Sequence, residues 1–475
     1  MKLPLHHTKI VATIGPASDT PAMIERLIAA GMSIARLNFS HGSFETHART
    51  IAHIRAAERA AGRRVTIMAD LPGPKMRLGE IAGGPVQLAA GEAFTLTTEP
   101  IVGDARRASM SFEPLPRVVK RGDRLFLNDG LVQLIVADVT ATDVHCTVAV
   151  GGEISSRKGL NLPGIELGAS AFTPHDHDCL AFALQQGVDA VSQSFVESAA
   201  DIGTVRSAAQ KLGRVPFIIA KIERAGALGR FDEILAAADG IMVARGDLGV
   251  EVPVEQIALI QKRLIAAASS AGKPIITATQ MLESMTTSRL PTRAEATDVA
   301  NAVLDGTDCL MLSGESAVGK FPVEAVAMLA RIAAAVEPAR MPAAGIAPAV
   351  CDIERPRRVS AAVAAVTEQA LRAVPSAAVI VPTRSGATAR MISRLKPPVW
   401  IVAVSRDAAI CQGLAFSYGV WPVCLQADPA SWHDFARDWV RKHQLPGGLA
   451  TLVAGPSPEH PQAADRIEFI HLNNA

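Results

Sequence analysis

The chain has no CxxC pair, no excess of charge of either sign and no apolar run long enough to cross a bilayer, and each absence excludes a class of protein. Its six cysteines (Cys146, Cys179, Cys309, Cys351, Cys411 and Cys424) are scattered, a pattern that suits buried thiols in a reducing compartment better than disulfides or a thiolate zinc site. Lys and Arg total 47 against 46 Asp and Glu, a formal net charge of +1. With no global field to attract a polyanion, neither nucleic acid nor an anionic membrane is an expected partner. The opening "MKLPLHHTKIVATIGP" lacks the apolar core of a secretory signal. The expectation is a soluble, cytoplasmic protein. What is present is length and apolar content: 475 residues, 49% of them hydrophobic, enough for about three domains of ~150 residues with substantial cores.

Short β-branched runs alternate with Ala-rich amphipathic segments, the sign of βα units and a parallel sheet. The candidate strands are "KIVATIG", "SIARLNF", "VTIMADL", "VDAVSQSFV", "PFIIAKI", "GIMVARGD", "PIITATQ" and "DCLMLSG". Between them lie helix-like segments such as "PAMIERLIAAG", closed by Gly31, and "EQIALIQKRLIAAASSAG", closed by Gly272, each with the expected glycine stop. Eight units predict an α/β fold of the (β/α)8 barrel type. The third is interrupted. The stretch 72–157 reads as alternating strands around an Asn-Asp-Gly turn, hence a small inserted β-barrel acting as a lid on the barrel mouth. The barrel is then 1–71 and 158–337, followed by a Pro- and Ala-rich linker (338–358) and a separate α/β domain (359–475).

Chemistry in such barrels sits at the carboxyl ends of the strands. Those ends carry Arg36, Asn38, Asp70, Ser194, Lys221, Glu223, Arg245, Asp247, Thr277, Thr279, Ser313 and Glu315. Any one of them could be a solvated cap, but so many polar ends on one rim point to a site. Glu223 and Asp247 end neighbouring strands, and two hard carboxylates with room for water and phosphate suit Mg2+. Salt bridges to Lys221 and Arg245 are the plain alternative. Lys221 leaves the same face of its strand as Glu223, well placed to neutralise a transferring phosphoryl group. "GESAVGKF" (314–321) matches P-loop spacing, but Phe321 stands where a metal-binding hydroxyl belongs, so it reads as a turn before a helix starting near Pro322. In "VPTRSGATAR", Thr383, Arg384, Ser385, Gly386, Ala387 and Thr388 form either a phosphate cradle or an ordinary Ser/Thr-capped helix start.

Nine stretches together resemble the pyruvate kinase family: "TKIVATIGPAS", "GMSIARLNFSHGSFETH", "DLPGPKMR", "RKGLNLPG", "AKIERAGAL", "GIMVARGDLGVEVP", "TATQMLESM", the long run from "PTRAEATDVA" to "GKFPVEAV", and "VPTRSGATARMISR". The resemblance implies the same layout of barrel, lid and C-terminal regulatory domain, usually in a homotetramer. It implies the last step of glycolysis, Mg2+-dependent transfer (Mn2+ an acceptable substitute) of phosphoryl from phosphoenolpyruvate to ADP, giving pyruvate and ATP. By matching motif, Arg36 and Lys221 would hold the phosphoryl group and Glu223 and Asp247 the metal. Gly246 and Asp247 would take the substrate carboxylate through their amides, and Thr279 would lie near the enolate face. Asn38, Ser40, His41, Arg77 and Lys158 look like nucleotide-side positions.

In potassium-dependent relatives the cation ligands match Asn38, Ser40, Asp70 and the carbonyl of Leu71. Where those relatives carry an acid, this chain has Lys75 on a stiff Pro-Gly-Pro turn, so its ammonium is expected to replace K+. The C-terminal "AGPSPEHPQAADRIEF" departs from the better-known effector-loop patterns, which leaves any phosphorylated effector unidentified. The rival readings are a barrel lyase that stabilises an enolate on magnesium and a catalytically dead paralogue kept for binding. The first needs no nucleotide site; the second is disfavoured by the presence of Arg36, Lys221, Glu223, Asp247 and Thr279 together.

Overall fold

The computed structural model describes residues 2–74, 76–128, 130–168, 170–340, 356–455 and 465–472, with the side chains of 356–358 outside the description. All eight expected strands form: β1 (Lys9–Thr13), β2 (Met32–Asn38), β3 (Thr66–Leu71), β4 (Ala190–Gln193), β5 (Phe217–Ile222), β6 (Gly240–Ala244), β7 (Ile275–Ala278) and β8 (Cys309–Leu312). Each pairs in parallel with its sequence neighbours, and β1 pairs with β8, closing the barrel. The strands read as unbroken apolar runs because both faces are covered. One set of alternate residues, including Val11, Ile34, Met68, Ile219, Met242 and Met311, packs inside the barrel. The other, including Ile10, Ala12, Ile67, Ile218 and Leu310, packs under the helices.

Helix ends follow local chemistry. Thr20 caps the helix Pro21–Ala30, with proline at its first position and Gly31 at φ +125° beyond its end. Thr292 and Glu295 form a capping box on Arg293–Asp305. The "GESAVGKF" stretch is a short helix Gly314–Ala317 followed by one that begins at Pro322. A Cβ on Gly319 would lie 2.4 Å from the Glu315 carbonyl, so packing requires the glycine and no phosphate is needed to explain it.

Between β3 and β4 the chain leaves the barrel and builds a six-stranded sheet and a two-stranded ladder around a core of their own. The large sheet stays open between its edge strands Leu160–Asn161 and Arg107–Ser109. Leu160–Asn161 still pairs with Arg124–Leu127, and Leu160, Leu162 and Leu167 belong to the insertion's core. The inserted unit therefore runs past the expected return at 157, because those leucines have no barrel face to cover.

The C-terminal unit is a five-stranded sheet, parallel except for the edge strand Arg466–His471. Its first helix begins at Pro356, within the stretch expected to be linker. Residues 341–355, with Cys351, and most of the divergent C-terminal stretch, 456–464, lie outside the described residues. This unit is locked to the amino-terminal end of the barrel. Phe416 joins the barrel's interior core and stacks on Phe217 at 5.2 Å with 7° between the rings. Around it, Lys396 Nζ donates to Asp308 Oδ1 at 2.6 Å, Tyr418 N to the same oxygen at 2.9 Å, and Lys9 Nζ to the Val420 carbonyl at 2.7 Å. Among the described residues, Cys146, Cys179, Cys309 and Cys411 are buried free thiols and Cys424 is an exposed one; no helix is long and apolar enough to cross a membrane.

Candidate active site

At the carboxyl ends of β2 to β5 a chain of charges assembles around Asp70, which is only 2% exposed. Arg36 donates through Nε (3.0 Å) and Nη2 to Asp70 Oδ2, and through Nη1 to the Thr13 hydroxyl at 2.9 Å. Ser192 Oγ donates to Asp70 Oδ1 at 2.6 Å. Lys221 Nζ lies 3.7 Å from the same oxygen, 3.2 Å from Glu223 Oε2 and 2.7 Å from Ser194 Oγ, which donates in turn to the Leu71 carbonyl. Asp70 is thus a hub that fixes one guanidinium and one ammonium side by side.

The electrostatics follow from burial and neighbours. Burial alone would raise the Asp70 carboxyl, but Lys221, Arg36 and the Ser192 hydroxyl outweigh it and hold it below the usual range. Burial alone would lower Lys221, yet Asp70, Glu223 and Asp247 together raise it. Glu223 goes the other way. Burial pushes its carboxyl up to about 7, with the like charge of Asp247 adding to the push and Lys221 and the Phe195 amide opposing it. The Phe195 amide donates to Oε1 at 2.7 Å, whereas the buried Oε2 makes no hydrogen bond and is met only by the charge of Lys221 at 3.2 Å. An under-satisfied buried carboxylate oxygen facing a second carboxylate is the donor set a divalent cation completes. Among the described residues no group of three or more His, Cys, Asp or Glu side chains could hold a metal, so a cation here would take its other ligands from water and substrate.

Of the two salt bridges weighed as the plain alternative to a metal site, that of Lys221 with Glu223 is present at 3.2 Å. Arg245 turns away and joins Asp298 with Nη2 to Oδ2 at 2.7 Å. Asp247 itself is exposed, in the first turn of the helix Arg245–Glu251. Beside it the Gly246 amide donates to Thr279 Oγ1 at 2.7 Å. Thr279 follows β7 at φ +69° and Gln280 at φ +53°.

On the opposite rim, Asn38 Oδ1 accepts from the Ser40 amide at 3.0 Å and His47 Nε2 meets the His41 carbonyl at 2.9 Å. Arg77 and Gly159 pair across the two chain crossings of the insertion, and the Lys158 carbonyl accepts from Leu78 N at 2.8 Å. Arg77 and Lys158 therefore sit together on adjoining segments of the inserted unit. Lys75 lies outside the described residues. Three strand-end residues are structural: Thr277 is buried against the Thr307 hydroxyl (3.0 Å), and the Glu315 carboxylate accepts from the Ser313 and Leu282 amides. In the C-terminal unit the Thr383–Thr388 turn is held by its own side chains, Gly386 N donating to Thr383 Oγ1 at 2.9 Å and Ala387 N to Ser385 Oγ at 3.4 Å.

Sequence reasoning passed over Thr13, Ser192 and the Phe195 amide. A usable signal existed: Ser192 and Ser194 are two apart, and both hydroxyls reach the β3 end, Ser192 at Asp70 and Ser194 at the Leu71 carbonyl.

Comparison with known proteins bears on the fold and the family. The family model "Pyruvate kinase, barrel domain" matches residues 5–326, and "Pyruvate kinase, alpha/beta domain" matches 361–459. The chain is 48% identical over 427 residues to a pyruvate kinase of Thermococcus litoralis, covering 90% of each. To human pyruvate kinase PKLR it is 44% identical over 443 residues, 90% of this chain and 77% of that one. To pyruvate kinase 2 of a Synechocystis species it is 43% identical over 435 residues, covering 90% and 72%. A crystal structure of a pyruvate kinase from Cryptosporidium parvum superposes with a TM-score of 0.88 at 35% identity, covering 98% of this chain and 96% of that one.

Proposed function

This chain belongs to the pyruvate kinase family, and from that premise we propose how its barrel mouth works. The family's reaction takes phosphoenolpyruvate and ADP to pyruvate and ATP with a divalent metal, in most analyses through a loose phosphoryl-transfer transition state in which positioning and charge neutralisation do most of the catalysis. The observation that carries the reading is Lys221, its side chain 12% exposed and held between Asp70 and Glu223. Its ammonium meets the phosphoryl group in flight. Arg36, oriented by Asp70 and Thr13, clamps the same group. Glu223 and Asp247 hold Mg2+, with Mn2+ as a substitute; the metal supplies Lewis-acid charge that the side chains alone do not. The Asp247 amide takes the substrate carboxylate, joined by the Gly246 amide once it leaves Thr279 Oγ1, and the Thr279 hydroxyl serves the enolate carbon. Asn38, Ser40, His41, Arg77 and Lys158 face ADP, the last two closing with the inserted unit.

Turnover needs no K+. Asp70, one of the expected cation ligands, already has the positive charges of Arg36 and Lys221 beside it, and the sequence has Lys75 where the potassium-dependent relatives carry an acid. A unit charge ~4 Å from the phosphoryl group is worth about 4 kcal/mol at an effective dielectric near 20. Assays in tetramethylammonium at constant ionic strength test this, and activity that collapses without K+ would refute it. The protein acts in the cytoplasm as a homotetramer, and the Thr383–Thr388 turn takes a phosphorylated effector. A panel of nucleotide monophosphates and sugar phosphates that changes neither substrate affinity nor thermal stability would remove that assignment. The overall reading is tested by coupled assay of pyruvate release, which depends on ADP in this mechanism and would not in an enolate lyase.

A further inference from the structure

Thr279 and Gln280 occupy left-handed backbone, at φ +69° and +53°. For a β-branched residue this conformation is strained and persists only where its surroundings over-determine it. Here one guanidinium holds two successive carbonyls of the turn. Arg245 Nη2 donates to the Thr279 carbonyl at 2.8 Å, and its Nε to the Ala278 carbonyl at 3.3 Å. The side chain is 9% exposed and is itself braced from behind. Nη1 and Nη2 fork onto Asp298 at 2.8 and 2.7 Å, and Nη1 also reaches Gln261 Oε1 at 3.3 Å. Gln261 and Asp298 sit on the helices Ile257–Ser270 and Arg293–Asp305. Two helices on the outside of the barrel thereby fix one arginine, and the arginine fixes the turn.

The hydroxyl at the end of this chain has a divided allegiance. Thr279 Oγ1 accepts from Gly246 N at 2.7 Å and donates to the Ala278 carbonyl at 2.6 Å. To serve a substrate its proton must leave that carbonyl, which would orphan a buried acceptor. Arg245 Nε already lies on the same carbonyl, so the acceptor stays satisfied when the hydroxyl turns.

We infer that Arg245, braced by Asp298, is a positioning residue for the Thr279 hydroxyl: it holds the left-handed turn and keeps the Ala278 carbonyl served while the hydroxyl proton faces the substrate. The inference rests on the assignment of Thr279 to the enolate side. The test uses the full chain with Arg245→Lys, Asp298→Asn, Thr279→Ala and the double variant Arg245→Lys/Thr279→Ala. Turnover is read by ATP formation, and proton transfer separately by metal- and ATP-dependent exchange of pyruvate methyl hydrogens in D2O. Arg245→Lys and Asp298→Asn each lower kcat and the exchange rate together, by up to about a hundredfold as a small misplacement does. KM for phosphoenolpyruvate stays within about twofold, because an interaction made only in the transition state is lost. The double variant is no slower than Thr279→Ala alone, the non-additivity expected of groups acting as one unit. Asp298→Asn, which conserves volume, answers the question should Arg245→Lys fail to fold. Effects that multiply in the double variant, or an unchanged exchange rate, overturn the clamp while leaving Thr279 in place. A Thr279→Ala protein with wild-type turnover overturns the Thr279 assignment and the clamp with it.

Discussion

Lys221 lies between two carboxylates of opposite character: its Nζ is 3.2 Å from Oε2 of Glu223 and 3.7 Å from Oδ1 of Asp70. Asp70 is held ionised by Lys221 and Arg36, and is the permanent counter-ion. Glu223, pushed by burial to about 7, is the one whose charge changes near neutrality. A proton and a metal compete for it. Mn2+ affinity, followed by electron paramagnetic resonance, is expected to fall roughly tenfold per pH unit as pH drops below that value. In the metal-free protein the sign for stability is the reverse. The folded state binds more protons than the unfolded between 4.5 and about 7, so this group's contribution weakens as pH rises through that window. Glu223→Gln removes the pH dependence and weakens the metal. Affinity that is flat across neutrality in the wild type would contradict the assignment.

Glu337 at the end of the last barrel helix ties down the start of the chain. Its carboxylate accepts from the amides of His7 (2.9 Å) and Thr8 (2.7 Å) and from the Thr8 hydroxyl (2.7 Å). Burial would raise this carboxyl, but the bonds and charge of His7 and the Thr8 amide outweigh it and pull it from 4.5 to about 2. A depressed carboxyl contributes stability that is complete above the unfolded value and lost as pH falls toward the folded one. The loss is at most about 3 kcal/mol at ~1.36 kcal/mol per unit. Denaturant titrations at stepped pH should show it between 4.5 and about 2, and Glu337→Gln should flatten that part of the curve. An unaltered acid limb in the variant would remove Glu337 from this role.

Phe416 plugs the barrel from the C-terminal unit, stacked on Phe217. Truncation to alanine opens a cavity at the unit boundary and costs about 3–5 kcal/mol, the range for buried aromatics. Gly413→Ala acts on the same contact, since a Cβ there would lie 2.7 Å from the Phe217 ring. Chemical denaturation of Phe416→Ala should show an earlier transition, split where the two units lose their coupling. A curve that overlays the wild type would mean that the contact carries no stability.

The barrel was legible because its signal is local. Eight short apolar runs, most of them followed by a helix signal, define eight parallel strands whatever their partners, and all eight formed. Polar residues at the strand ends located Arg36, Asp70, Lys221 and Glu223 for the same reason. The partners were harder to see. Arg245, weighed only as the alternative salt-bridge partner of Asp247, pairs with Asp298, 53 residues on, and no spacing rule links a strand end to the outer face of a later helix. Likewise Phe416 belongs to the interior of a barrel whose last strand ends at Leu312. Its role depends on how two units dock, which hydrophobic periodicity does not encode. The insertion's return past 157 was missed because Leu160, Leu162 and Leu167 read as apolar in either unit.

We propose that Glu223, Asp247 and the largely enclosed Lys221 transfer phosphoryl at this barrel mouth with a divalent cation. The most direct measurement is ATP and pyruvate formed from phosphoenolpyruvate and ADP by wild type and Asp247→Ala, each with Mg2+ and with the metal chelated. Equal amounts of both products are expected from the wild type with metal, almost none after chelation, and almost none from a folded Asp247→Ala under either condition. Wild-type rates in Asp247→Ala, or turnover that survives chelation, would contradict this proposal.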